Sequence, residues 1–433
     1  MRRIFHIAVL AVLSCMQARA QLVRPALPLP QLPQVGPVLR DAAPALPQPR
    51  ALVSSVDVRA RELLRRYPRD VERDPRGAPV VRAVILALSP DGQALQQALA
   101  RGFLIQSDVT PQPLGERVVT LLVPQGLATQ RALQQLRAAD PRGSYDFDHL
   151  FVESAASAVS AASAAASAAA LPDMVEVRVG LIDGGVDVAH PVFATRPPEV
   201  SGCGGKPVAS AHGTAVASLF VGRAAQFHGA APGARLRAVD VYCGGDAPGG
   251  RVRDIVLGLS DLMAAQVRVI NMSIVGPDNA VLAAVVRKVL AQSIVIVAAA
   301  GNDGPGAPPL YPAAYPGVVA VTAVDAHRKV LLEAGAGAHI SFAAPGADML
   351  AAAPGAAYAP VRGTSYAAPL VAGLLARLLA NQGRSAVDRI VPQLAASAED
   401  LGRKGRDSRY GYGLVGMDLR TDPAHFTGRL APQ

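Results

Sequence analysis

Arg362-Gly363-Thr364-Ser365-Tyr366-Ala367-Ala368-Pro369 sets a serine among small residues at the mouth of an apolar stretch. Leu370, Val371, Leu374, Leu375, Leu378 and Leu379 follow at helical spacing. Pro369 suits a first turn, where N–H groups lack intrahelical partners. A serine there has backbone N–H donors beside it and the positive end of the helix dipole beneath it. Both would stabilise an oxyanion on a carbonyl that the hydroxyl attacks. Serine is also a common helix N-cap, so a nucleophile needs partners elsewhere in the chain.

Three upstream segments offer them. Residues 177–182 read as a buried strand running into Asp183-Gly184-Gly185-Val186-Asp187. An acid at the C-terminal end of a parallel strand lies where open α/β sheets bind ligands, although Asp-Gly also makes ordinary turns. His212-Gly213-Thr214 opens a small-residue helix over 215–221, so the imidazole stands at a helix start much as Ser365 does. Residues 293–300 form a strand ending in Gly301-Asn302-Asp303-Gly304, whose Asn is a turn residue or an amide donor to an oxyanion.

Together these segments resemble the subtilisin-like serine peptidases over roughly residues 177–416. The resemblance rests on Asp-Gly-Gly, His-Gly-Thr, Ala-Ala-Ala-Gly-Asn and Gly-Thr-Ser-Tyr-Ala-Ala-Pro in the family's order of Asp, His, Ser. Asn271-Met272-Ser273, Tyr311-Pro312-Ala313-Ala314-Tyr315-Pro316 and Gly411-Tyr412-Gly413-Leu414-Val415 add to it. It implies that Ser365 attacks a scissile carbonyl, His212 is general base and then acid, and Asp183 orients the imidazole. Asn302 and the Ser365 N–H would bind the oxyanion. The order excludes an α/β-hydrolase, and the Gly-x-Ser-x-Gly elbow is absent because Ala367 stands two residues after Ser365.

The elements that must carry these groups follow from composition and pattern. With 433 residues, 51% hydrophobic and a mean hydropathy of +0.27, the chain has material for a sizeable core and more than one domain. Only 4% is aromatic and Trp is absent, so aliphatic and Ala packing dominates. The net charge of +9 is spread over dispersed arginines with no basic stripe and interleaved aromatics, which argues against a nucleic-acid partner. From Glu176 onward strands and helices alternate, giving the expected class: α/β, a doubly wound, mostly parallel sheet with helices on both faces, preceded by a small α+β ferredoxin-like unit.

Residues 1–20 read as an export signal, with Arg2, Arg3, an apolar core over 7–13 and Ala18-Arg19-Ala20. Its core is too short to span a bilayer. The expected location is periplasmic or extracellular, with a lipoprotein anchor at Cys15 the lesser alternative. Residues 21–80 read as a Pro/Arg-rich spacer. Residues 81–153 follow a β-α-β-β-α-β order, and their place resembles the family's inhibitory and chaperone propeptide, a partner in cis. A Ser/Ala-rich linker at 154–170, a peptidase domain at 171–418 and a tail at 419–433 complete the chain. Cys203 and Cys243 remain after the signal and suit one disulfide in an exported protein, or two free thiols.

Departures from the family bear on substrate choice. The pocket for the residue before the scissile bond would be framed by Ser273, Ile274, Val275, Gly276, Ala299, Ala300, Gly301 and Leu310. Val275 and Leu310 stand where relatives often carry glycine. If they fill the pocket it favours Ala, Ser or Gly, and the 154–170 linker becomes a self-cleavage site; the alternative is that both point into the core. Tyr366 replaces an oxidation-prone Met beside the nucleophile. No cofactor is expected for the chemistry. Structural calcium has no assigned ligand set, Asp187, Asp240 and Asp246 resembling ordinary surface acids. The expected molecule is a self-maturing monomer acting on proteins or peptides. The rival reading is a catalytically silent relative that binds peptides or a partner in the same cleft.

Overall fold

The computed structural model describes residues 55–154, 176–245, 248–380, 382 and 386–431. The export signal, Cys15, Asp246 and the linker beyond Ser154 lie outside the described residues.

The first element is a helix, α1 (Ser55–Arg66), followed by β1 (Val71–Arg73). Both fall inside the segment expected to be a spacer over 21–80, which is therefore too long. Leu63, Leu64 and Tyr67 pack on Val71, Val81, Val84 and Leu150, a short apolar stripe that the surrounding arginines hide in the sequence. Next come β2 (Pro79–Leu88), α2 (Gly92–Ala100), β3 (Leu104–Val109), β4 (Val118–Leu122), α3 (Thr129–Ala139) and β5 (Ser144–His149). Strand β2 pairs with β5 and β4, and β4 with β3, all antiparallel, which is the ferredoxin-like arrangement. Side chains alternate across a strand. Ile85 and Ala87 of β2 therefore pack with Val119 and Leu121 against α2 and α3. Leu86, Leu88 and Val118 take the opposite face.

The last strand of the β-α-β-β-α-β order does not run on to residue 153. β5 stops at His149, and a separate strand, β6 (Val152–Glu153), pairs elsewhere.

The larger unit contains β7 (Arg178–Asp183), β8 (Glu199–Gly202), α4 (Ala211–Val221), β9 (Arg223–Ala224), β10 (Phe227–His228) and β11 (Arg235–Asp240). It continues with α5 (Val252–Ala264), β12 (Val269–Met272), β13 (Ile274–Val275), α6 (Ala280–Leu290), β14 (Val295–Ala299) and β15 (Val319–Val324). β16 (Ile340–Pro345), β17 (Met349–Ala353), β18 (Ala357–Val361), α7 (Thr364–Ala380) and α8 (Val387–Ser397) finish it. Seven strands form one sheet in the order β16-β15-β14-β12-β7-β11-β8, and every pairing in it is parallel.

Alternation again decides the layers. Val179, Leu181, Val269, Val295 and Val297 join the core beneath α4 and α7, whereas Ile182, Ile270, Met272, Ile296 and Ala298 join the core beneath α5 and α6. Leu86, Leu88, Leu114, Val118 and Phe151 enter that second core, so the small unit seats its sheet on α5 and α6. Its β5 also reaches both helix starts. The Asp146 Oδ2 accepts from Ala280 N at 2.7 Å and Asp148 Oδ1 from Arg253 N at 3.1 Å, using N–H groups that have no partner within the helix.

Candidate active site

Three sheet and helix ends converge on one place. Asp183 is the last residue of β7 and fully buried, and His212 sits in the first turn of α4, capped by the Ser210 hydroxyl. The approach of α4 to the strand end is close: a methyl group on Gly213 would lie 2.3 Å from the Gly184 carbonyl oxygen. Only glycine after His212 lets the imidazole reach Asp183. His212 Nδ1 lies 2.7 Å from Asp183 Oδ1, which also accepts from Gly184 N. Nδ1 therefore carries the hydrogen, leaving Nε2 as the available base; it is buried with no hydrogen-bond partner among the described residues.

Burial pushes the imidazole pKa down. The carboxylates of Asp183 and Glu153 outweigh that effect, and the net direction is up. Tyr366 closes one side, its ring centroid 5.5 Å from that of His212.

Ser365 is in the first turn of α7 and fully buried. Pro369 is not in the first turn as expected; it lies inside the helix and cannot donate to the Ser365 carbonyl. The Ser273 hydroxyl takes over that carbonyl at 2.8 Å and is itself held by Asn271 Nδ2 at 2.9 Å. Ser273 thus supports the serine-bearing turn, a role the sequence pattern did not suggest. Asn302 follows β14. Its Oδ1 accepts from Thr364 N at 3.0 Å, which turns Nδ2 toward Ser365.

The cleft is filled by the chain itself. β6 pairs antiparallel with β13, Glu153 opposite Ile274 and Val152 opposite Val275. Phe151 N donates to Gly250 O at 2.7 Å and Ser154 N to Ser273 O at 3.2 Å. Gly250 has a φ of +73° and no room for a methyl group against the Phe151 carbonyl. The Ser154 carbonyl oxygen receives Asn302 Nδ2 at 2.6 Å and Ser365 N at 3.4 Å, and Ser365 Oγ lies against it as well. Two N–H donors and a hydroxyl thus converge on one backbone carbonyl oxygen, and the two N–H groups stand where they could hold an oxyanion formed on it.

Of the expected pocket residues, Ser273, Ile274 and Val275 align this strand. Gly276 lies under the Phe151 ring, where a methyl group would approach to 2.7 Å. Gly301 N donates to Thr364 Oγ1 at 3.1 Å, and Leu310 Cδ1 would lie 2.5 Å from a methyl on Gly301. Ala299 and Ala300 are buried in the two sheet cores. The Ser154 side chain is small and hydrogen-bonded, its Oγ 3.0 Å from Thr364 Oγ1 and 3.2 Å from Asn302 Nδ2.

Cys203 and Cys243 form a disulfide, the first of the two options left by the sequence. Among the described residues one trio has ligand atoms close enough for a metal ion, Glu153, Asp183 and His212, all within 4.8 Å. Asp183 and His212 are hydrogen-bonded to each other, so the trio is an acid–base pair facing a carboxylate rather than a metal centre. Asp187 accepts from Ala189 N and Gly355 N, and Asp240 from Val208 N, Tyr242 N and Cys243 N. Both acids serve turns.

Residues 175–413 match the model of peptidase S8, the subtilase family. Over 225 residues the chain is 32% identical to the minor extracellular protease Epr of Bacillus subtilis (strain 168), covering 51% of this chain and 34% of Epr. Over 254 residues it is 33% identical to subtilisin E of the same organism, covering 56% of this chain and 64% of that one. The chain therefore spans about a third of the first relative and less than two thirds of the second. Among solved structures, fervidolysin from Fervidobacterium pennivorans, a keratinolytic enzyme related to subtilisin, aligns with a TM-score of 0.63. That alignment covers 81% of this chain and 62% of fervidolysin at 20% identity, a likeness of fold.

Proposed function

The chain belongs to the subtilase family, and from that premise we propose that it is an exported serine endopeptidase that cuts itself between Ser154 and Ala155. Ser365 is the nucleophile, His212 the general base and acid, and Asp183 the group that holds the imidazole. Ser365 Oγ adds to the Ser154 carbonyl carbon as its proton passes to His212 Nε2. The oxyanion is held by Asn302 Nδ2 and Ser365 N. Collapse breaks the bond to Ala155, whose amine leaves with the proton from His212, and water then hydrolyses the acyl-enzyme by the same steps in reverse. Subtilases need no cofactor for this chemistry.

The observation that carries the reading is the Ser154 carbonyl, with Asn302 Nδ2 at 2.6 Å and Ser365 Oγ against it. The same contact supports the rest. Residues 55–154 act as a prodomain in cis, since their last residues occupy the cleft and their sheet covers α5 and α6. The residue before the scissile bond is small, since Ser154 fills that position and Leu310 crowds the neighbouring Gly301. The Cys203–Cys243 disulfide suits an oxidising compartment outside the cytosol.

Intact mass of the purified full chain beside Ser365→Ala tests the proposal. The expected result is a wild-type fragment beginning at Ala155 and an uncut variant. Equal, uncut masses would overturn it and leave the cleft as a peptide-binding groove.

A further inference from the structure

His212 meets charges from three elements. Asp183 of β7 holds Nδ1. Glu153 of β6 brings a carboxylate oxygen within 4.8 Å of the acid–base pair; it lies over Gly184, where a methyl group would be 3.5 Å from Glu153 Oε1. Arg59 of α1 lines the same cavity of about 420 Å³, together with Glu153, Gly184, Ser210 and Tyr242. Glu62, Arg66 and Tyr67 of α1 and Asp240 line that cavity too, Asp240 accepting from Val208 N, Tyr242 N and Cys243 N. Burial raises the pKa values of the Tyr366 and Tyr242 phenols beside it, so both stay neutral. Neither Glu153 nor Arg59 belongs to the enzyme that would remain after cleavage at Ser154.

We propose that Glu153 acts on the reaction through His212, as a second carboxylate supplied by the strand being cut, and that Arg59 opposes it. This deepens the self-cleavage reading and rests on it. When Ser365 loses its proton the imidazole becomes a cation, and a carboxylate beside it stabilises that state. The same charge raises the pH at which His212 becomes a neutral base. Glu153 therefore makes the cut faster above the midpoint and moves the midpoint upward, and Arg59 does the reverse. The directions found for His212, up from Glu153 and down from Arg59, agree with this placement. The corresponding substrate class is a peptide with Asp or Glu two residues before the scissile bond. Gly184 and Ser210 line the cavity that receives that side chain.

The test is the rate of the Ser154–Ala155 cut from pH 5 to 9 in the full chain, refolded from denaturant into each buffer. Wild type, Glu153→Gln and Arg59→Gln are compared, with Ser365→Ala followed by circular dichroism to give the folded fraction at each pH. The midpoint should fall by about one unit in Glu153→Gln, the size of effect a single charge at this range produces, and rise in Arg59→Gln. An unchanged midpoint in Glu153→Gln, or shifts in the same direction for both variants, would overturn the proposal while leaving self-cleavage intact. No cut at any pH in wild type overturns both. Matured enzyme gives a readout independent of precursor folding: kcat against pH for two peptides differing only in Glu or Gln at that position. The Gln peptide should show the lower midpoint, and identical profiles count against the inference.

Discussion

On the proposed reading of the pocket, replacing Leu310 by glycine should let large residues enter where only small ones are expected to fit. Leu310 Cδ1 reaches within 2.5 Å of where a methyl on Gly301 would stand, and Gly301 precedes the Asn302 that holds the Ser154 carbonyl. The isobutyl group therefore occupies the space a longer side chain would enter. Removing it frees the volume of four carbons. A Leu or Phe side chain buried there gains about 1.5–3 kcal/mol, and each 1.4 kcal/mol is about tenfold. Some of that gain is offset by the added backbone freedom of glycine. The expected rise in kcat/KM for substrates ending in Phe or Leu is about 10- to 100-fold, with Ala substrates changed by less than about threefold. Tetrapeptide p-nitroanilides differing only in the last residue, assayed with matured enzyme, measure it. A wild type that already prefers Phe over Ala, or a Leu310→Gly variant whose Phe/Ala ratio moves less than twofold, would refute the assignment of Leu310 to the pocket.

Asn302→Ala should lower kcat by about 10²–10³ with KM little changed, a range established on an oxyanion donor of this same family; loss confined to KM would mean the amide only binds. Ser273→Ala leaves the Ser365 carbonyl without its donor, costing about 1–3 kcal/mol of stability, and should depress kcat as the serine-bearing turn relaxes. Thermal melts and kinetics read both, and an unaltered kcat would detach Ser273 from that turn. Cys203→Ala with Cys243→Ala reopens a loop closed across 40 residues and should cost up to ~4 kcal/mol in the chain-entropy account; an unshifted melting temperature would speak against a stabilising bond. Burial pushes the Asp148 carboxyl up to about 7 in the seated unit, against 3.8 in water. Its contribution is thus full below about pH 4 and lost as pH rises through 7. The uncut Ser365→Ala precursor should lose melting temperature over that window, and adding Asp148→Asn should flatten the loss; parallel curves would remove Asp148 as the cause.

The large unit was legible because its chemistry is local. Asp183, His212, Asn302 and Ser365 each sit where a strand ends or a helix begins, and the glycines beside them mark close backbone approach. The parallel sheet followed from uninterrupted apolar strands alternating with helices. The order of the small unit was equally plain, because short apolar runs such as those of β2 and β4 are separated by the amphipathic stretches of α2 and α3. Three features were not legible. α1 is dense in arginine, and its Leu63–Leu64 stripe is too brief to give a period. The break between β5 and β6 depends on Gly250 and β13, which lie far downstream in the chain and capture the strand by pairing. Pro369 suggested a helix start, yet a hydroxyl from Ser273 makes the interior position tolerable, and only the fold brings the two together.

The position of the Ser154 carbonyl also fixes the kinetic order of the first cut. Nucleophile, base and target belong to one chain, and Ser365 Oγ already lies against the Ser154 carbonyl, so the proposed step is unimolecular and its half-life does not depend on how much protein is present. Dilution cannot keep such a precursor dormant, and crowding cannot hasten it. Control by concentration begins only afterwards, once residues up to Ser154 become a separate molecule that must dissociate and can rebind. On the proposed reading, any dependence of activation on concentration therefore resides in the release from α5, α6 and β13 and in rebinding there, and not in the cut.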